Sequence, residues 1–99
     1  MAEGYQNKYL DETVYSINNS VAYSTNAEML SAVANYVNGG GIKIFSVRCS
    51  EAPLNGSAMN VIFIGDNVWG GGIGLFNGGR TDLIKIGFQN GLGVITTIT

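Results

Sequence analysis

The stretch "DNVWGGGIGLFNGGR", residues 66–80, holds six glycines and the only tryptophan of this 99-residue chain. Its apolar middle lies between two groups of turn-forming residues, which predicts one strand of an antiparallel sheet. Asn-Gly pairs, which tolerate the positive φ angles of a type I′ hairpin turn, recur at 55–56, 77–78 and 90–91. Strand-like runs lie around these pairs: "IKIFSVRCS", "SAMNVIFIG", "VWGGGIGLF", "TDLIKIGFQ" and "LGVITTIT". Residues 39–99 are therefore predicted to form a glycine-rich antiparallel meander of about five strands.

A short helix is predicted just before this meander, over residues 25–38. Thr25 and Glu28 have the spacing of a capping box, in which each side chain bonds a backbone amide that the first helical turn leaves without a partner. Gly39 suits the left-handed conformation that commonly follows the last turn of a helix. The apolar residues recur at helical spacing and predict a stripe that packs on the sheet: Met29, Leu30, Val33, Tyr36 and Val37.

The segment upstream of the helix, within residues 1–24, is compatible with two structures. Val14, Ile17 and Val21 are spaced by three and four residues, as the core positions of a coiled coil are. Asn18 and Asn19, which lie between "VYSI" and "SVAY", equally suit the turn of a hairpin. We treat residues 1–24 as a connecting segment and leave both interpretations open.

Several features of the chain predict an intertwined homotrimer. A 99-residue domain has a marginal core, and a single cysteine with no histidine supplies neither a disulfide nor a zinc site. In "NVIFI" both faces of the strand are apolar, which is typical of a strand that is buried on both sides. One short helix covers only one face, so a neighbouring subunit is expected on the other. The residues predicted to pack between subunits are Val14, Ile17, Val21, Gly70, Gly72 and Gly74, the glycines because they permit close approach of strands.

The sequence argues against several classes of function. No P-loop or complete G-x-G-x-x-G motif occurs, so the glycines do not predict a phosphate site, and the glycine run is internal, unlike a fusion peptide. Five Lys/Arg against seven Asp/Glu exclude a basic nucleic-acid footprint, and no apolar run is long enough to span a membrane. Without histidine the commonest general base is missing. Cys49 is expected to be a buried small side chain, and Asp66 with Asp82 is only a weak candidate for a carboxylate pair. We expect no enzyme activity, metal or cofactor.

Two turns carry the side chains that suit sugar recognition. Planar amides and charged groups pair with adjacent hydroxyls, while an indole covers the C–H side of a sugar ring. The first turn offers Asp66, Asn67 and Trp69, and the second offers Asn77, Arg80 and Asp82. If the strand between them is extended, these turns lie at its opposite ends and form either two sites or one site across subunits. We favour the first turn, although a tryptophan that fills the core is an equally ordinary interpretation of Trp69.

The segment "SVAYSTNAEMLSAV" resembles the Asn/Ala/Ser/Thr-rich connector that precedes the terminal domain of many bacteriophage tail fibres. The resemblance covers about residues 14–34, and in those fibres the connector also leads into a compact, glycine-rich β domain. It implies a homotrimeric tip domain that binds a glycan or protein of the bacterial surface and joins the rest of the fibre or other virion proteins. Such a protein is located in the virion tail and is made in the host cytoplasm without a signal peptide, as the polar start "MAEGYQNKYLDET" also suggests. The His-x-His ligands and collagen-like repeats of some fibres are absent here.

The first hypothesis is therefore a receptor-binding tip module of a phage tail fibre. The alternative is a structural trimerisation or capsid-decoration element that binds other virion proteins and no host receptor. A small enzyme that acts on glycans is a third hypothesis, which the absence of histidine and the scarcity of carboxylates disfavour.

Overall fold

The computed structural model, which describes residues 14–99, is mainly β, with one α-helix, a short 3-10 turn at Ile17–Ser20 and one six-stranded sheet. The strands lie in the sheet in chain order, and every neighbouring pair from β2 to β6 is antiparallel. The predicted five-strand meander is therefore confirmed, and a sixth, two-residue strand is added at one edge. The elements are β1 (Tyr15–Ser16), α1 (Asn26–Val37), β2 (Ile42–Arg48), β3 (Ala58–Gly65), β4 (Trp69–Phe76), β5 (Leu83–Gln89) and β6 (Leu92–Thr97).

The turns explain why the strands follow one another in order. Asn90 and Gly91 have φ angles of +53° and +83°, so β5 and β6 are joined by the two-residue turn that an Asn-Gly pair predicts. At the β3–β4 turn, the Asp66 carboxylate accepts hydrogen bonds from the amides of Val68 and Trp69 at 2.9 and 2.8 Å. Each connection is short enough that only an adjacent antiparallel strand is within reach.

The segment from residue 14 to residue 24 is neither a coiled coil nor a hairpin. β1 pairs in parallel with β2, and Tyr23 forms a further parallel bridge with Cys49, so the chain runs along β2 in one direction before and after the turn. Asn18 and Asn19 make that turn with φ angles of +61° and +51°, which asparagine tolerates better than most residues.

Both sequence-based interpretations of this segment are wrong because each omitted pairing with the edge of the sheet. Ile17 is buried in the core of its own chain, whereas Val14 and Val21 are exposed. Their contact with another subunit stays a prediction. The part of the predicted connector that falls on residues 1–13 lies outside the described residues.

The helix begins where the capping residue predicts. Thr25 Oγ1 accepts a hydrogen bond from the amide of Glu28 at 3.2 Å, and the Thr25 hydroxyl lies 3.3 Å from Glu28 Oε1. At the other end, Gly39 has the positive φ that was predicted for it, within a turn in which the Gly40 amide bonds to the carbonyl of Val37. The apolar stripe is confirmed: Met29, Val33 and Val37 are buried, and Leu30 and Tyr36 pack against the core.

The core lies between α1 and one face of the sheet. The inner face of the sheet supplies its buried side chains from β2, β3 and β5, including Phe45, Phe63 and Ile86. β4 supplies glycines instead: a β-carbon on Gly72 would lie 2.7 Å from the carbonyl oxygen of Ile62. Gly70 and Gly74 are equally crowded, by the backbone of Asp66 and by the side chain of Met59. Packing within one chain thus accounts for these three glycines, and their predicted role between subunits stays a prediction.

Candidate functional site

The face of the sheet opposite the helix is open and apolar. Ile44, Ile62 and Ile73 lie side by side across three strands, and Ile42 lies beside Ile64 in the neighbouring row. These five isoleucines are between 42% and 71% exposed. The sequence predicted that β3 is apolar on both faces, and the structure shows that a single chain covers only one of them.

A depression interrupts this face next to the isoleucines. Gly71 and Gly87 are direct cross-strand partners on β4 and β5, and neither places a side chain on the open face. The depression above them has a volume of about 530 Å³. Among the residues that line it are Lys85, Gln89, Leu92, Val94 and Thr96. The floor is therefore bare backbone, and the rim mixes one cation, two neutral polar groups and two apolar side chains.

Asp66, Asn67 and Trp69, at the start of β4, lie along one side of this face, and we call this group the Trp69 end. The side chain of Trp69 is 60% exposed, so the interpretation of Trp69 as core filler is wrong. Trp69 is the cross-strand partner of Gln89, which in turn faces Leu92 on β6. An indole, an amide and a leucine thus form a row that borders the depression.

Two neighbouring turns hold the Trp69 end in place. The amides of Trp69 and Val68 bond to the Asp66 carboxylate and hold the pKa of Asp66 below its ordinary value. The β5–β6 turn is attached to this turn because the amide of Gly91 donates to the carbonyl of Val68 at 3.1 Å. Asn67 is half-buried between Asp66 and Val68. The Asp66 carboxylate therefore stabilises the turn, and its Oδ1 already accepts two backbone hydrogen bonds.

Arg80, from the second predicted turn, is committed to contacts within its own chain. Its guanidinium donates to the carbonyls of Leu54 and Pro53 at 2.8 and 2.9 Å, and it lies over the Phe76 ring at 3.7 Å. The ion pair between Arg80 and Asp82 measures 3.2 Å and holds the pKa of Asp82 below its ordinary value. Arg80 thus ties the β2–β3 loop to the β4–β5 loop, a role that the sequence alone did not indicate.

The two predicted turns do not form one site within a chain. β4 is extended over eight residues between them, which separates its ends by about 23 Å. Asn77, at the far end, accepts a hydrogen bond from the Asn60 side chain at 2.9 Å. Asp66 and Asp82 also lie at opposite ends of this strand, so they cannot act as a carboxylate pair. Of the six predicted residues, the structure groups Asp66, Asn67 and Trp69 at one end of β4 and pairs Arg80 with Asp82 in the loop that follows its other end.

The remaining reactive groups of residues 14–99 are dispersed. Cys49 is buried, and its thiol donates a hydrogen bond to Asn26 Oδ1 at 3.3 Å. In this part of the chain no three His, Cys, Asp or Glu residues come together as metal ligands, and α1 is too short to cross a membrane.

Comparison of the chain with models of protein families, with curated proteins and with solved structures gives no match.

Sequence reasoning missed five residues that surround the depression. The alternation of side chains along "TDLIKIGFQ" puts Lys85 and Gly87 on the same side of β5, but nothing in the sequence places Gly71 opposite Gly87. Gln89 and Leu92 flank the Asn90-Gly91 turn, and a two-residue hairpin places its flanking residues opposite each other. Their pairing could therefore have been predicted from the sequence. The register between β4 and β5 spans a longer loop and has no comparable local signal.

Proposed function

We propose that this chain is a non-enzymatic attachment module of a phage tail fibre, which works as a homotrimer and binds a glycan of the bacterial surface at its Trp69 end. The observation that carries this proposal is the large exposed area of Trp69 in a turn that hydrogen bonds hold rigid. An exposed tryptophan is costly to leave in water, and a preformed position reduces the entropy lost on binding.

The chemistry around Trp69 fits a sugar better than other ligands. The indole presents a flat apolar face to the C–H side of a pyranose ring, and the Gln89 amide in the neighbouring strand is placed to pair with hydroxyl groups. Asn90 lies exposed in the attached turn and adds a second amide.

The resemblance of residues 14–34 to a tail-fibre connector supports the virion as the location. A shallow site of this kind would bind weakly, with a dissociation constant near the millimolar range, or about −4 kcal/mol. Three linked copies would raise the avidity when the bacterial surface presents sugars within their reach. The proposed attachment therefore depends on the trimer, because a single site binds too weakly on its own.

The test is adsorption of the fluorescently labelled wild-type protein to a panel of bacterial strains. On any strain that binds the wild type, Trp69→Ala should lower adsorption about tenfold or more, because a central aromatic contact is lost. Trp69→Phe keeps a ring and should lose less. Arg80→Ala, with folding verified by circular dichroism, should adsorb like the wild type because Arg80 binds its own loops.

Two results would contradict the proposal. If Arg80→Ala abolishes adsorption while Trp69→Ala does not, the site lies at the other turn. If the wild type adsorbs to no strain, the alternative of a structural trimerisation or capsid-decoration element replaces it, and the open apolar face is the observation that favours that alternative.

A further inference from the structure

Two glycines of the sheet have no explanation within their own chain. The other glycines of the strands are required there: Gly65 has a φ of +108°, and Gly70, Gly72, Gly74 and Gly93 each have atoms of the same chain too close to admit a β-carbon. At Gly71 and Gly87 the nearest atoms to an added β-carbon lie 3.7 and 3.6 Å away, which is ordinary contact, and neither residue has a positive φ.

Glycine weakens a strand because it gives up more conformational freedom and packs no side chain. Two such glycines, placed opposite each other on an exposed face, therefore indicate close approach by something outside the chain. The apolar character of the surrounding face decides what kind of partner this is.

We propose that the depression over Gly71 and Gly87 receives the isoleucine ridge, defined as Ile42, Ile44, Ile62 and Ile64, of a second copy of this chain. The inference rests on the homotrimer of the proposed function and names the surfaces through which its subunits meet.

The shapes of the ridge and the depression are complementary. Ile42, Ile64, Gly71 and Gly87 follow one another in a single row across β2, β3, β4 and β5. Ile42 and Ile64 raise one end of this row, and Gly71 and Gly87 lower its middle. The row continues to Val94 on β6, and the Lys85 stem lies beside the two glycines. When the ridge of one copy packs over the depression of another, isoleucine fills the space that glycine leaves, which gives the close packing of two sheet faces.

The arrangement is compatible with a closed assembly. Each copy carries one ridge and one depression next to each other on the same face. The ridge of a first copy contacts a second, whose ridge is then available to a third. Such a contact between different surfaces closes into a ring when the rotation between copies matches the number of copies. Three copies are the number that the proposed function requires.

The area of the face is sufficient for a stable interface. The exposed parts of its large apolar side chains amount to on the order of 1,000 Å², which exceeds the few hundred Å² of the largest patch on most monomers. In a ring of three this area is divided between two contacts, so each contact takes about half of it from each partner and buries on the order of 1,000 Å² in total, which meets the roughly 1,000 Å² expected of a specific interface. The side chains counted are Ile42, Ile44, Ile62, Ile64, Ile73, Leu75, Leu92 and Val94. The ridge itself carries no charge, and the charged side chain that lines the depression, Lys85, has a long stem that lets its ammonium group stay in water at the rim.

The experiment compares Gly71→Val and Gly87→Val with Gly79→Val by light scattering over a range of concentrations. Gly79 is a matched control, because an added side chain there meets no atom within 4 Å and its φ is not positive. The wild type and Gly79→Val should have about three times the 10.4 kDa mass of the chain at micromolar concentration. The two other variants should fold, as circular dichroism will show, yet associate about tenfold or more weakly.

Ile64→Ser is a second test, which removes one apolar side chain of the ridge instead of filling the depression. Ile64 is 62% exposed, so this variant should fold and should also associate weakly. Assembly of Gly71→Val, Gly87→Val and Ile64→Ser at wild-type strength would overturn the inference, as would a monomeric wild type.

The inference and the attachment function fail in different ways. A wild-type protein that is monomeric but still adsorbs to bacteria overturns this inference and leaves the Trp69 site in place. Assembly that depends on Gly71, with no adsorption to any strain, supports the inference and overturns the attachment function. Trp69→Ala should leave the mass in solution unchanged.

Discussion

Gly71 and Gly72 are neighbours in β4 that face opposite sides of the sheet, so the same substitution should have opposite effects at the two positions. A β-carbon on Gly72 would lie 2.7 Å from the carbonyl oxygen of Ile62 and 3.0 Å from the Cα of Phe63. Both obstacles belong to the backbone of β3, which is hydrogen-bonded to β4 and cannot rotate away. Gly72→Ala therefore has to push two central strands apart.

The expected size of the effect follows from this geometry. Overpacking of a core costs about 1–3 kcal/mol, and here the rigid backbone favours the upper part of that range. For a domain of this length, such a loss lowers Tm by roughly 5 to 20 °C. Gly71→Ala meets nothing closer than 3.7 Å, and it should raise the free energy of unfolding of the single chain by about 0.5–1 kcal/mol because alanine suits a strand better than glycine.

The assay is thermal and urea unfolding of both variants and the wild type, followed by far-ultraviolet circular dichroism. Measurement over a hundredfold range of protein concentration separates the stability of the chain from that of the assembly, since only the latter depends on concentration. If Gly72→Ala is as stable as the wild type while Gly71→Ala is destabilised, the assignment of the two faces of β4 is wrong and the reasoning is refuted.

Two further changes test the local structures that hold the ends of the sheet and the helix. Thr25→Ala should lower the free energy of unfolding by about 0.5–2 kcal/mol per chain because the Glu28 amide loses its hydrogen-bond acceptor. Thr25→Ser keeps a hydroxyl and should retain most of the stability. Equal Tm values for the wild type and both variants would show that this cap does not stabilise the helix. The lowered pKa of Asp66 means that its ionised form stabilises the fold: this contribution is complete above the ordinary pKa of an aspartate, about 4, and is lost as the pH falls through the lowered value. Asp66→Asn should therefore unfold with a weaker dependence on pH below about 4 than the wild type, and identical acid unfolding curves would contradict this role.

The local sequence determined the elements of this protein and most of their order. Asn90-Gly91 predicts its hairpin without help from the rest of the chain, because both residues accept the positive φ that the turn needs. Thr25 marks the start of α1 for a similarly local reason, since its partner is only three residues away. The alternation of side chains in β3 shows from the sequence alone that both faces of that strand are apolar.

Only the tertiary structure decided which of these residues form surfaces. The direction in which Trp69 points depends on which face of the sheet α1 covers, and no local pattern contains that information. The sequence alone makes Arg80 a candidate for ligand binding, but the loop at residues 53–54, far away in the sequence, supplies the acceptors for its guanidinium. The pairing of Gly71 with Gly87 depends on the register between β4 and β5. That register is set by the packing of the inner face, so packing on one side of the sheet determines the depression on the other.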